Sequence, residues 1–207
     1  NSLLGEALWI SEVTFYCQAG SRHLSMIAVF ERFSKLKYIL TESGCSWVAP
    51  MLAQLDGIHV GIEFGAIGEM HYEGEWVLKE LPSVYAQCNC WYGASFPSNA
   101  ELDGINKLGV ERVLWGNDYP HNEGTFPYNL ESLRLTFNDI SKKDRCLLLG
   151  ENAAELYNFD LEKLRHLANQ YGPTPSQLDQ PLAREEIPVD ATGVIFRNAL
   201  FNQPSEG

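Results

Sequence analysis

The sequence predicts an α/β fold of parallel strand–helix units, and three observations carry that expectation. Short apolar runs with β-branched and aromatic residues recur at residues 36–40, 89–96 and 113–116. Each stops abruptly at turn-forming residues: Thr41-Glu42-Ser43-Gly44, Pro97, and Gly116-Asn117-Asp118-Tyr119-Pro120. Stretches of helical periodicity lie between and after them, and strands alternating with helices build parallel sheets.

Taken in order, residues 1–20 are amphipathic and aromatic but carry no helix-start signal. From 23 to 33, Leu24, Ile27, Ala28, Phe30 and Phe33 fit one helical face. The first strand comes next, at 36–40. Ser46 is placed to cap a helix whose buried side holds Trp47, Met51, Leu52 and Leu55. Residues 57–80, rich in glycine, acidic and aromatic residues, read as a long excursion with short helical pieces. Pro82 opens a short helix to about Gln87, and the aromatic strand 89–96 closes at Pro97. Ser98 caps a helix over 100–108 that ends at Gly109, and the strand carrying Trp115 comes directly after it. Pro127 starts a helix to about Phe137, Ser141 caps another, and 151–157 form a third after Gly150. Residues 161–170 are helical. Pro173, Pro175, Pro181, Pro188 and Pro204 break up the remainder, which reads as an arm laid over the domain or over a neighbouring subunit. The expected division is therefore 1–160 for the strand–helix units and 161–207 for the arm.

At 207 residues, 45% hydrophobic and 20% charged, the chain can bury one core. A net charge of -12 argues against nucleic-acid and anionic-membrane surfaces, which need clustered Lys and Arg. No apolar run approaches the roughly 20 residues of a spanning helix. No signal peptide is visible, and the start at Asn1 rather than Met leaves room for a preceding segment. The five cysteines, Cys17, Cys45, Cys88, Cys90 and Cys146, are odd in number and irregularly spaced. They read as buried free thiols of a reducing cytoplasm, with a soft-metal site as the alternative.

Asp118 is the first candidate for chemistry. At a strand end beside glycine and proline it can ligate a metal or take a proton from bound water, or it can serve as a turn residue that accepts backbone N–H groups. Glu42 also comes after a β-type run and precedes a glycine, which puts it on the same rim as Asp118 in a parallel sheet. Two such carboxylates can divide into an acid and a base; a turn or capping carboxylate paired with a nearby base is the other reading. His121 and Glu123 are close enough in sequence to orient a ligand or touch substrate, or they form a solvated loop pair. His23, His59, His71 and His166 form no H-x-H or H-x-x-x-H pair and read as surface or packing residues. A catalytic zinc takes about three protein ligands, and no histidine cluster supplies them. Phosphate-binding glycine loops and the G-x-S-x-G serine elbow are absent.

Several separated stretches, in order, resemble one family. Val29-Phe30-Glu31-Arg32-Phe33-Ser34-Lys35-Leu36-Lys37 is similar to V-F-[DE]-R-F-P-x-L-K, and Thr41-Glu42-Ser43-Gly44-Cys45-Ser46-Trp47-Val48 to T-E-x-G-x-x-W-[VI]. The run from Asn89 to Phe96 matches the next strand. Trp115-Gly116-Asn117-Asp118-Tyr119-Pro120-His121-Asn122-Glu123-Gly124-Thr125 resembles W-G-[SN]-D-Y-P-H-x-E-G-[TS], and Gly150-Glu151-Asn152-Ala153-Ala154-Glu155-Leu156-Tyr157 resembles G-x-N-A-A-x-[VL]-Y. These are motifs of the amidohydrolase-related branch of the metal-dependent hydrolases, which also contains decarboxylases.

The resemblance implies a distorted (β/α)8 TIM-type barrel with a divalent metal, usually zinc, at its carboxyl rim. The chain then holds about strands six to eight plus a helical and extended C-terminal arm. A closed barrel takes about 250 residues, so the rest lies outside this chain. Asp118 corresponds to the aspartate that ends the eighth strand, as metal ligand and general base. The ligands of the first and fifth strands have no counterpart, so the chain alone is expected to hold metal weakly or not at all. Glu42 stands where many of the decarboxylases carry a histidine, which favours hydrolysis over carbon–carbon cleavage.

The expected function is thus metal-dependent hydrolysis of a small molecule, with Asp118 and Glu42 catalytic and His121, Glu123, Trp91 and Trp115 lining the substrate pocket. The aromatic residues suit an apolar or aromatic substrate, or simply pack a core. The alternatives are a decarboxylase of the same family and a non-catalytic relic that persists as a binding or oligomeric protein. Exposed strand edges predict association with further copies or with a missing N-terminal portion.

Overall fold

The computed structural model describes residues 3–65, 67–70 and 77–201, so His71 lies outside the described residues. The chain forms two compact units, Asn1–Gly93 and Ala94–Gly207.

In the first unit, α1 spans Leu3–Met26 and a short α2 spans Val29–Arg32. The single helix expected over 23–33 is broken because Ala28 takes a left-handed conformation, φ 57°, where a right-handed helix cannot continue. Ala28 and Phe30 are buried at this break. The first half of α1 leaves Leu4, Leu8, Trp9, Ile10, Phe15 and Tyr16 exposed. β1 spans Tyr38–Thr41, α3 Val48–Glu63, α4 Pro82–Asn89 and β2 Cys90–Ser95.

The helix α3 runs to Glu63, so residues 57–63 are not part of an excursion. The buried stripe Met51, Leu52, Leu55 continues to His59 with helical spacing, and that packing outweighs the cost of Gly57 and Gly61. Trp47, not Ser46, stands at its N-terminus, and no side chain caps it. Trp47 instead donates from Nε1 to Ser43 O at 2.8 Å and packs edge-on against the buried Tyr92 ring at 6.4 Å.

β1 and β2 are parallel, with Tyr38 opposite Cys90 and Thr41 opposite Gly93. A Cβ on Gly93 would stand 2.8 Å from the Thr41 side chain, so the strands approach this closely only with glycine there. A buried amide fixes the entry to β1: Asn89 Nδ2 donates to Ser34 O at 3.0 Å and to Leu36 O at 2.7 Å. Glu31 joins α2 to α4 and to the segment before it by accepting from the Tyr85 hydroxyl and pairing with Lys79 at 2.7 Å. These partners hold the Glu31 carboxyl below its ordinary range, the Lys79 hydrogen bond contributing most.

The second unit begins at Ala94, within β2. Phe96 N, just past its end, donates to Gly116 O at 2.9 Å. α5 spans Asn99–Leu108 and starts with the Ser98/Glu101 capping box; Gly109 ends it at φ 105°. One 3-10 turn leads into β3, Val113–Gly116. α6 spans Asn129–Phe137, two residues later than Pro127 suggests, because Thr125 Oγ1 reaches Asn129 Oδ1 at 2.7 Å within the intervening turn. α7, Lys142–Cys146, is capped by Ser141 as expected.

α7 is continuous with α8. A π-helical turn over Leu147–Glu151 passes straight from one into the other, and α8 spans Asn152–Tyr157, so the helix expected to start near 151 is the end of a longer one. The bulge sets Asn152 facing inward, where Nδ2 donates to Val110 O and Val113 O, both at 2.7 Å. It is the counterpart of Asn89, placed at the entry to β3.

The arm consists of α9, Leu161–Tyr171, α10, Pro175–Leu178, and α11, Val194–Phe201, joined by extended segments. It folds onto its own unit. Leu182, Ile187, Ala191, Ile195 and Phe196 form a buried cluster packed by Phe96, Tyr128 and Leu135. Arg134 holds the arm through Gln180 O, Pro181 O and a two-pronged contact with Glu186. α9 buries none of its residues. Of the cysteines, Cys45 and Cys90 are buried, Cys17 is half-buried, and Cys88 and Cys146 are exposed, which corrects the expectation of uniformly buried thiols; none is in a disulfide.

Candidate metal-binding turn

Strand ends position both candidate carboxylates. β3 stops at Gly116, and Asp118 sits two residues on at φ 62°. Non-glycine residues adopt this region at a cost of about 1–2 kcal/mol, and Asp tolerates it better than most. Glu42 comes directly after β1 and is also left-handed, φ 58°. Phe96, just past β2, has φ 37°. Every strand of the sheet thus ends in a residue held in an unfavourable conformation, a condition found where surrounding structure fixes a functional loop.

The turn after β3 is the more tightly built. Asn117 anchors it twice: Oδ1 accepts from Tyr119 N at 3.2 Å and its carbonyl from Thr125 N at 3.0 Å. His121 N donates to Asp118 O at 2.9 Å, and Gly124 N to His121 O at 3.2 Å. Gly124 is required here, since a Cβ would stand 2.6 Å from Asn117 O. The turn brings Asp118 Oδ1 to 3.1 Å from His121 Nδ1. The Asp118 side chain is 10% exposed and that of His121 56%.

The remaining sequence candidates divide. Glu123 is exposed, and its carbonyl accepts from Val194 N at 3.2 Å. Trp115 is half-buried on β3, and its Nε1 is buried without a hydrogen-bond partner. Trp91, in the first unit, is half-buried on β2, on the opposite side of the strand from Cys90, Tyr92 and Ala94, with Lys37 Nζ 5.8 Å from its ring centre. Glu42 is exposed. Sequence reasoning did not single out Asn117, Thr125 or the exposed ring pair Tyr119–Phe126, whose centres are 4.9 Å apart. An asparagine directly before the aspartate was the available signal, because its side chain can close a turn on the backbone two residues on.

A carboxylate oxygen and an imidazole nitrogen are donors that manganese and zinc accept. Asp118 has no Lys or Arg partner among the described residues, and its side-chain partner there is the His121 ring. The donors fit in kind. The turn by itself supplies two such donors, of the about three that a catalytic zinc takes from protein.

Residues 14–159 match the Amidohydrolase family model. No curated protein matches the chain. Among solved structures, a dihydroxybenzoic acid decarboxylase from Polaromonas sp. JS666, with bound manganese and the inhibitor 2-nitroresorcinol, is similar with a TM-score of 0.51 at 20% identity, over 74% of this chain and 42% of that one. An amidohydrolase from Mycobacterium avium subsp. paratuberculosis K-10 gives a TM-score of 0.51 at 22% identity, over 66% and 32%. The chain thus spans well under half the length of either structure. At these identities the likeness is one of fold. Because the family model accounts for most of the sequence, the chain belongs to the amidohydrolase family.

Proposed function

We propose that this chain is the C-terminal part, about strands six to eight, of a (β/α)8-barrel enzyme that hydrolyses a small-molecule substrate with a divalent metal, zinc or manganese. The observation that supports it best is the Asp118 turn, where a nearly enclosed carboxylate, with no Lys or Arg partner among the described residues, stands near a strand end beside a histidine. Asp118 and His121 would hold the metal, with further ligands from the portion of the barrel that this chain does not contain. Such a metal lowers the pKa of bound water towards neutrality and polarises a carbonyl oxygen.

Asp118 Oδ2 carries no hydrogen bond among the described residues, and that oxygen is the one able to accept the proton of the attacking water. Glu42, in the first unit, is the second candidate for proton transfer. Glu123, Trp91 and Trp115 are the further candidates for contact with substrate. The exposed apolar side of α1 is covered in the intact enzyme, by the rest of the barrel or by a second copy.

Manganese and zinc titration of the full-length protein by calorimetry, combined with paired assays on aryl esters or lactones and on aryl carboxylates, tests this reading. Stoichiometric metal and hydrolysis support it. Carbon dioxide release without hydrolysis moves the assignment to a carbon–carbon lyase. Absence of both metal and turnover identifies a non-catalytic relative.

A further inference from the structure

The extended segment before α11 returns to the turn that carries His121. Thr192 Oγ1 donates to Asn122 O at 2.7 Å, and Val194 N donates to Glu123 O at 3.2 Å. Between them Gly193 lies flat on the turn, where a Cβ would stand 2.6 Å from Gly124 O. The segment is itself fixed on both sides. The Tyr128 hydroxyl reaches both Asp190 carboxylate oxygens at 2.7 Å, and Ala191, Ile195 and Phe196 are buried in the arm's apolar cluster.

The two hydrogen bonds grip the backbone carbonyls of Asn122 and Glu123, and Gly193 packs closely beside Gly124, so they fix the path of the turn whatever its side chains are doing. His121 needs such support. Its ring is more than half exposed and its described side-chain partner is Asp118. A turn free to open at residues 122–124 would carry His121 away from Asp118, because Gly124 N bonds directly to His121 O.

We propose that Thr192 and Gly193 are positioning residues: the C-terminal arm clamps the 121–124 turn and thereby holds His121 against Asp118. The clamp itself stands on these backbone contacts; its consequence for metal binding rests on the reading of Asp118 as a ligand. Thr192 is exposed, so replacing it leaves the apolar cluster intact. Amide hydrogen exchange on the full chain, with and without manganese, reads the clamp in Thr192→Val, Thr192→Ser and Gly193→Ala.

In Thr192→Val, exchange at His121, Gly124 and Thr125 should rise roughly five- to tenfold, the scale set by one ordinary hydrogen bond. Manganese affinity should fall about as much, and Thr192→Ser, which keeps the hydroxyl, should restore both. Gly193→Ala should exceed Thr192→Val; if it fails to fold, the Val/Ser pair still decides. Unchanged exchange in Thr192→Val overturns the clamp, and faster exchange with unchanged manganese affinity overturns its positioning role. A full-length wild-type protein that binds no manganese but shows the exchange pattern and its rescue supports the clamp, and removes Asp118 as a ligand instead.

Discussion

Two strand ends carry a carboxylate in the left-handed region, Glu42 at φ 58° after β1 and Asp118 at φ 62° after β3, and their surroundings differ sharply. Asp118 is nearly enclosed, paired with a histidine, and sits in a turn tied down by Asn117, Gly124 and the C-terminal arm. Glu42 is exposed, and the turn beyond it is held through backbone partners such as the Trp47 contact to Ser43. On the proposed reading, the same backbone state serves two ends. An enclosed, oriented carboxylate suits a fixed metal ligand, whereas an exposed one suits a group that meets substrate or moves a proton.

Substitutions at the two positions should separate those roles. Asp118→Asn keeps shape and tolerates positive φ, so the fold should survive. Manganese affinity should fall by about 10²-fold or more as a charged ligand is lost. Glu42→Gln should leave metal affinity within about threefold and lower turnover of the intact enzyme by about 10²-fold. Calorimetry and steady-state kinetics give the two numbers, and equal losses of affinity at both positions would erase the distinction.

The second contrast is between the units, which share a device. Asn89 and Asn152 each spend both side-chain N–H groups on two carbonyls at a strand entry, each residue being only 3% exposed. Replacing either with alanine removes two hydrogen bonds, at roughly 1–3 kcal/mol in total, read by urea denaturation. A markedly smaller cost at one of them would show that its strand entry is held by packing instead.

Acid should act more weakly, and on both units. The Glu31 carboxyl is lowered first by Lys79, and Glu186 first by Arg134. A carboxylate lowered on folding contributes stability above its unfolded pKa of about 4.3, and that contribution disappears as pH falls through the lower folded value. Stability should decline below about pH 4.5, with Glu31→Gln flattening the decline more than Glu186→Gln, because Glu31 is the less exposed. The smallest effect is expected at the α5 cap, where Ser98→Ala should cost about 1 kcal/mol.

Strand ends and capped helices were legible in the sequence because local chemistry dictates them. Ser98 with Glu101, Gly109, and the proline and glycine after Trp115 each force a start or a stop wherever the chain goes next. The place of Asp118 just past a strand end was legible for the same reason. The break at Ala28 was not, because alanine is the best helix former and only tertiary packing holds it at φ 57°. Nor were the asparagine locks, since a buried Asn reads like any polar helix residue until its distant carbonyl partners are known. The return of the arm to the His121 turn rests on Thr192 meeting Asn122, 70 positions away, which no local pattern encodes.

The most direct test is manganese binding by the full-length protein and its Asp118→Asn variant, measured by calorimetry under identical conditions. The wild-type protein should bind close to one ion, with affinity reduced about 10²-fold or more in a variant that melts as the parent does. Equal affinity in the two proteins would show that the Asp118 turn is not where the metal sits.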